Sequence, residues 1–357
     1  MSALIIAEAG VNHNGDRDTA LALVDAAAAA GVDAVKFQTF RTESLVTSSA
    51  PKAAYQKIAT GSSESQFDML KRLEMSADLH RELMERCTRH GLKFLSTPFD
   101  QASLHFLVHE LDLDTLKISS GEITNGPFLL DVAKHGRKII LSTGMSTLKE
   151  VEEALGVIAF GFANEDHAPS REAFHSALAS RAGQKALDAN VSLLHCTTEY
   201  PAPFSDVNLK AIDTLRETFG LTTGLSDHTP GITAAIAAVS RGATIIEKHF
   251  TLDRSLPGPD HAASLEPDEL KALAAEIRVV EMALGDGIKA PSPSEMGNRK
   301  IARKSLVASR SIKAGEVLID DNISAKRLGA GVSPMYYWDV LGTKAKRDYL
   351  ADEAIDL

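Results

Sequence analysis

Two histidines, His228 and His249, close consecutive short apolar stretches, GLSDH and IIEKH, while two lysines, Lys36 and Lys117, interrupt similar stretches in AVKFQTF and TLKISS. Imidazole is the commonest protein ligand for metals. If the two stretches are neighbouring strands, about 4.8 Å apart, both rings reach one ion and leave positions open for water and substrate, as a Lewis-acid metal requires. A lysine among apolar neighbours is costly to bury unless an anion meets it. Thr97, Ser120, Ser142 and Ser226 end comparable stretches and add directed donors, a set that suits a phosphate beside a carboxylate. Any one of these hydroxyls is equally well explained as a strand cap or a solvated rim; the lysines are not. Glu8, Glu247, Asp227 and Asp260 are the acid and base candidates. Glu8 ends a wholly apolar run directly before GVNHNG, where it polarises water or positions a pocket lysine, and Asp260 sits in the stiff turn LPGPDH. His195 reads equally as a donor behind the site or as a packed core histidine.

The elements that must position these groups follow from the same stretches. Strand-like runs cover 4–9, 34–40, 92–97, 115–120, 138–143, 191–196, 221–226 and 244–250, and alanine-rich or helically spaced segments separate them. Eight strand-helix repeats predict an α/β fold, a TIM (β/α)8 barrel, whose active mouth forms where the strands end. Every strand ends in polar groups: Glu8, Lys36 with Gln38, Ser96 with Thr97, Lys117 with Ser119 and Ser120, Ser142 with Thr143, His195, Ser226 with Asp227 and His228, and Glu247 with His249. Two stretches break the rhythm. Residues 41–75 form a long polar excursion on the strand-to-helix side, where lids and oligomer contacts reside. Residues 161–190 lie on the opposite side and read as structural. The barrel is expected over 1–285, a linker rich in Gly, Pro and Ser over 286–300, and a small β-rich unit over 301–357 with little core of its own.

Composition narrows the function classes. The chain has 357 residues, 44% of them hydrophobic, and a formal charge of −10. That charge leaves no basic footprint for nucleic acid, and no apolar run approaches the ~18 residues of a membrane span. The N-terminus lacks a basic n-region, and Cys87 and Cys196 make no disulfide framework, so a cytoplasmic protein is expected. No glycine-rich phosphate loop is present.

The segments IIAEAGVNHNG, VKFQTF, FLSTPFD, LKISSGEITNGPFL, KIILSTGMST, LLHCTTEYPAPFSDVNL, GLSDHTPGI, IIEKHFTLDRSLPGPDHAASLEP, ARKSLVASRSIKAGE and NISAKRLGAGVSP together resemble the N-acetylneuraminate (sialic acid) synthase family, which includes legionaminic and pseudaminic acid synthases. The resemblance implies a barrel followed by an antifreeze-like (SAF, β-clip) domain, in a homodimer where each small domain closes the partner's barrel mouth. It implies condensation of phosphoenolpyruvate with N-acetylmannosamine to give N-acetylneuraminate and phosphate. The alternatives are a legionaminic acid synthase acting on 2,4-diacetamido-2,4,6-trideoxymannose, or a Schiff-base aldolase using Lys117 or Lys36. A reading from a different class makes the small unit a polysaccharide- or ice-binding module and the barrel its scaffold. Carried over by position, phosphoenolpyruvate contacts fall on Lys36, Thr97, Lys117, Ser120, Ser142 and Ser226. The ligands of Mn2+ or Mg2+ fall on His228 and His249. Glu8, Gln38, Tyr200, Glu247 and Asp260 line the sugar and the reacting carbons, and Arg327 reaches the N-acyl group. The chain departs from some members at Thr198, where they carry Asn, and at Leu328 and Ala330, where KRPGNG reads KRLGAG.

Overall fold

Valine, isoleucine and leucine recur through the predicted strands, and these runs form the staves of the barrel. A computed structural model describes residues 2–53, 56–57, 64–163 and 167–356. The strands are β1 Leu4–Gly10, β2 Ala34–Thr39, β3 Lys93–Pro98, β4 Thr115–Ile118, β5 Lys138–Ser142, β6 Val191–Cys196, β7 Thr222–Asp227 and β8 Ile245–His249. They pair in parallel in the order β3-β2-β1-β8-β7-β6-β5-β4. The two ends of that order lie side by side, and Lys93 Nζ on β3 donates to Thr115 Oγ1 on β4 at 2.8 Å. β4 is shorter than expected, because Ser120 already begins a tight turn, Ser120–Glu122.

Side chains alternate across a strand, so one set faces the helices and the other the barrel axis. The inward set packs an apolar layer of Ile6, Ala34, Leu95, Ile140, Leu194 and Ile245. Gly224 completes this layer on β7, because a Cβ there would lie 2.7 Å from Leu194 Cδ2 and 2.8 Å from the Ile245 Cβ. The outward set, including Ile5, Val35, Phe37, Leu116, Leu193 and Ile246, packs against the surrounding helices. Those helices include Arg17–Ala30, Ala77–His90, Gly126–Lys134, Leu148–Ala163, Lys210–Phe219, Thr233–Ser240 and Pro267–Leu284. Asp16 and Ser76 cap the first two, each side chain accepting from the backbone N–H three residues on.

The 161–190 excursion carries two further helices, Arg171–Ala179 and Arg181–Asn190, with Phe174 edge-on to Phe160 at 5.3 Å. Within 41–75, Met69 and Leu73 of helix Gln66–Leu73 cluster with Val11 and Phe40; residues 54–55 and 58–63 of this excursion lie outside the described set. Two compact units divide the chain at Gly285 and Asp286. The stretch read as a linker holds helix Glu295–Ala302, which runs past residue 300. In the second unit β9 Lys304–Ala308 pairs antiparallel with β10 Ile323–Arg327. The expectation of little independent core is corrected here. Leu306, Ala308, Ile312, Leu318, Ile323, Val340, Ala345, Tyr349 and Ile355 form one buried cluster, gathered by bridges such as Ile312 with Tyr349. Among the described residues no helix is long and apolar enough to cross a membrane.

Candidate active site

Two residues beyond each member of the apolar layer, the same strand face turns polar. Ile6 leads to Glu8, Ala34 to Lys36, Leu95 to Thr97, Ile140 to Ser142, Leu194 to Cys196, Gly224 to Ser226 and Ile245 to Glu247. The period of the strand therefore delivers all seven side chains to one level. All seven are buried. Lys117 joins them from β4.

The contacts within this ring are ionic. Lys36 Nζ lies 2.6 Å from Glu8 Oε2 and 3.8 Å from Glu247 Oε2, and it donates to Thr97 Oγ1 at 3.1 Å. Lys117 Nζ lies 3.3 Å from Glu247 Oε1, which also accepts from Ser226 Oγ at 2.9 Å. Gln38 Nε2 reaches Glu8 Oε1 at 3.4 Å. Burial pushes Glu8 up to about 7 against the pull of Lys36, and Glu247 adds to the rise. Glu247 is equally buried, but Lys117 and Lys36 together hold it below the ordinary carboxylate range. Burial also pulls Lys36 down, yet Glu247 and Glu8 win and keep it above the ordinary amine value. Lys117 goes the other way, lowered by burial and by Lys36 against the opposing Glu247. Two carboxylates in one pocket thus take different protonation behaviour, as acid and base roles demand.

The imidazoles sit on the same mouth. Ser226 Oγ connects them to the ion-pair cluster, lying 3.5 Å from His228 Nε2. His228 Nδ1 donates to the Thr197 carbonyl at 2.7 Å, which leaves Nε2 as the electron-pair donor. The His228 and His249 ring centroids are 5.5 Å apart, and Tyr200 stacks on His228 at 4.1 Å and meets His249 edge-on at 5.5 Å. Burial, with His228 and Lys36, drives His249 well below the ordinary imidazole value, so it is neutral, and its Nδ1 is buried with no partner. For His228 burial is overcome by Cys196 and the Thr197 carbonyl, which raise it. A divalent ion held by this imidazole would have to displace that proton. Among the described residues no three His, Cys, Asp or Glu side chains converge as a ready-made metal site. The residues fit an ion held by two imidazoles, with water or substrate completing its shell. Asp260 is buried and pushed up to about 6 by burial, against the pull of His228 and Lys36.

The hydroxyls divide. Ser142 Oγ is buried with no partner, and Ser120 Oγ accepts from the Gly144 N–H at 2.9 Å. A Cβ on Gly144 would lie 2.3 Å from Thr198 Oγ1 and 2.7 Å from Ser120 Oγ. Ser120 and Thr198 therefore border one small polar cradle, and the Thr198 hydroxyl is likewise buried without a partner. The neighbouring polar residues turn outward. Ser96 bonds Thr39 Oγ1 at 2.7 Å, Thr143 Oγ1 donates to the Leu194 carbonyl, and Asp227 pairs with Lys248. Asp227 is thereby removed from the acid and base candidates. His195 also faces outward, tied to the Val207 carbonyl at 2.6 Å. Arg327 is exposed at the end of β10 in the second unit.

Sequence reasoning missed the struts beneath this mouth. Asn12 Nδ2 donates to the Phe250 carbonyl and to Ser264 Oγ, which in turn donates to the Asp260 carbonyl. Asn14 Nδ2 donates to the Pro257 carbonyl at 2.8 Å. GVNHNG thus anchors the loop bearing Asp260, a role that two asparagines following a strand end could have signalled.

The fold and this mouth define a (β/α)8-barrel enzyme with its ionisable groups gathered at the C-terminal face of the sheet. The chain matches the NeuB family model over residues 23–289 and the SAF domain model over 303–356. It is 48% identical to the N,N'-diacetyllegionaminic acid synthase of Campylobacter jejuni, over 99% of this chain and 98% of that one. It is 43% identical to the N,N'-diacetyllegionaminic acid synthase of Legionella pneumophila, over 96% and 90%. Among solved structures, the N-acetylneuraminic acid synthetase of Leptospira borgpetersenii in complex with citrate superposes with a TM-score of 0.67, at 33% identity over 84% of this chain and 90% of that one. The chain belongs to the NeuB family, that of the sialic acid synthases.

Proposed function

We propose that this protein condenses phosphoenolpyruvate with the open-chain aldehyde of an N-acylated amino sugar, giving a nine-carbon sialic acid and phosphate. The observation that carries the reading is the buried Lys36–Glu8 and Lys117–Glu247 cluster joined through Ser226 to His228 in one mouth. For the sugar we propose 2,4-diacetamido-2,4,6-trideoxymannose, which would give N,N'-diacetyllegionaminic acid. Two relatives with that product in their names share 48% and 43% identity, against 33% for the N-acetylneuraminic acid synthetase. N-acetylmannosamine, the substrate first expected, is the alternative.

His228 and His249 are the residues that would hold Mn2+ or Mg2+, and the ion would supply Lewis acidity to the aldehyde oxygen. Lys36, Lys117, Thr97, Ser120, Ser142 and Ser226 would bind the phosphate and carboxylate of phosphoenolpyruvate. With Glu8 and Glu247 both ionised the two lysines are neutralised; a proton on Glu8, whose pKa is about 7, frees Lys36 for the incoming anion. As C3 attacks the aldehyde carbon, Glu8 would give its proton to the aldehyde oxygen, and the carboxylate so formed would take the proton from the water that adds at C2. The hemiketal phosphate then collapses by C–O cleavage, so label in the bridging oxygen leaves with phosphate. Gln38, Tyr200 and Asp260 would line the sugar.

We further propose a swapped homodimer in which the second unit closes the partner's mouth and Arg327 meets the N-acyl group. Exposed Met145 and Phe204 after β5 and β6, and exposed Met335 and Trp338 in the second unit, are apolar surfaces that such closure would cover. Both cysteines are buried and free, which suits the reducing cytoplasm.

The test is turnover of purified protein with phosphoenolpyruvate, Mn2+ and a panel of amino-sugar aldehydes, reading phosphate release and product mass. The expected result is highest kcat/KM on the diacetamido-trideoxy sugar and loss of activity with EDTA. The lowered Lys117 favours one rival, a Schiff-base aldolase, and borohydride with pyruvate would then attach covalently to Lys117. Absence of phosphate release with every aldehyde overturns the synthase reading.

A further inference from the structure

Another buried ion pair lies on the other face of the same sheet. Asp227 and Lys248 stand directly opposite each other across β7 and β8, and Lys248 Nζ lies 2.8 Å from Asp227 Oδ2. The side chains are 1% and 0% exposed. Lys248 Nζ also donates to the Thr229 carbonyl, while Asp227 Oδ1 accepts from the Thr229 N–H at 2.9 Å. Neither group faces the mouth, and neither enters the chemistry proposed above.

Stability does not explain such a pair, since replacing a buried ion pair by apolar groups of similar volume is often neutral or stabilising. Its place in the chain is more informative. Asp227 and Thr229 bracket His228, and Lys248 holds both of them; Lys248 is itself bracketed by Glu247 and His249. Because neighbouring strand residues point to opposite faces, a tie on the outer face sets the height and twist of the inner residues on both strands. The pair therefore fixes the residues that carry one imidazole relative to the strand that carries the other.

We propose that Lys248–Asp227 is a positioning clamp that sets the separation of His228 and His249, and with it the affinity of the site for a divalent cation. The proposal rests on the metal reading of those two histidines. Partners behind metal ligands commonly change metal affinity by about 10- to 100-fold when removed, and this pair acts through backbone rather than through a ligand hydrogen bond.

The experiment is Mn2+ binding to the full-length protein, measured by the EPR signal of free Mn2+, beside thermal unfolding, for the wild type, Lys248→Met, Asp227→Asn, Lys248→Met with Asp227→Leu, and His228→Ala with His249→Ala. Both single variants are expected to unfold at lower temperature, and the apolar double variant to recover that loss. All three are expected to bind Mn2+ about 10-fold or more weakly. A recovered double variant that binds Mn2+ within two-fold of the wild type overturns the clamp and leaves a purely structural pair. Wild-type protein that takes up no Mn2+, or uptake that survives loss of both histidines, overturns the metal reading instead.

Discussion

Inside the barrel, two layers only two residues apart along each strand follow opposite rules. The lower layer, Ile6, Ala34, Leu95, Ile140, Leu194, Gly224 and Ile245, is apolar and closely packed, to the point that a single added Cβ at Gly224 does not fit. The upper layer, Glu8, Lys36, Thr97, Ser142, Cys196, Ser226 and Glu247, is as buried but charged, and some of its polar atoms, such as Ser142 Oγ and Glu247 Oε2, have no hydrogen-bond partner. Burying a Leu or Ile side chain contributes about 1.5–3 kcal/mol, whereas burying an ion opposes folding unless it is paired. The comparison teaches that the lower layer holds the barrel shut, while the upper layer leaves paired charges and partnerless polar atoms at the mouth that packing alone does not account for.

That contrast can be broken from either side. The largest effect is expected from Glu247→Gln, which removes the charge shared by Lys36 and Lys117: kcat/KM per folded molecule should fall by about 10²- to 10³-fold, and the unfolding temperature should drop as well, because Lys117 is left buried without its carboxylate. Leu194→Ala should act on stability alone, lowering unfolding free energy by about 2–5 kcal/mol in urea titrations while kcat per folded molecule is retained. A stable Leu194→Ala with lost turnover would show that the two layers are not separable. Gly144→Ala probes the cradle at the rim. Its Cβ meets Thr198 and Ser120, so KM for phosphoenolpyruvate should rise about 10-fold, roughly 1.4 kcal/mol, with little change in stability.

The smallest effect is one of pH. His13 is fully buried, and burial lowers its pKa from 6.5 to about 4. As pH falls the unfolded chain takes up this proton first, so the stability involved is complete above pH 6.5 and is lost progressively toward pH 4. Urea midpoints at pH 7.5, 5.5 and 4.5 should decline in that order, and a flat profile over this window would remove His13 from the account.

Much of the barrel is visible in the chain because strands and helices write different periods into it. The eight apolar runs end within a few residues of the eight observed strands, β4 being the shortest, and their polar ends mark the mouth. Pairs of adjacent polar residues are where legibility stops. Ser96 beside Thr97, Ser142 beside Thr143 and Ser226 beside Asp227 differ only in which member faces the axis, and a shift of one residue exchanges them. Lys248 illustrates the same limit. A lysine within an apolar strand demands an anion, and all three meet a carboxylate of the protein itself, Lys36 and Lys117 those of Glu8 and Glu247 toward the axis and Lys248 that of Asp227 on the helix-facing side. The struts from Asn12 and Asn14 to the loop bearing Asp260 span more than 240 residues of chain, so the two asparagines after β1 hint at an anchor while only the fold shows what they hold.

The amino-acid sequence by itself determined the eight-fold repeat, the polar strand ends and the two compact units, because hydrophobic periodicity and turn chemistry act over a few residues. Closure of the barrel decided the rest: which hydroxyls face inward, that Glu8 shares Lys36 with Glu247, that Glu8 and Glu247 shift in opposite directions, and that Lys248 grips the strand beside it. Those outcomes depend on distances of about 3 Å between residues far apart in the chain and on the water excluded around them, and both come into being only when the strands meet.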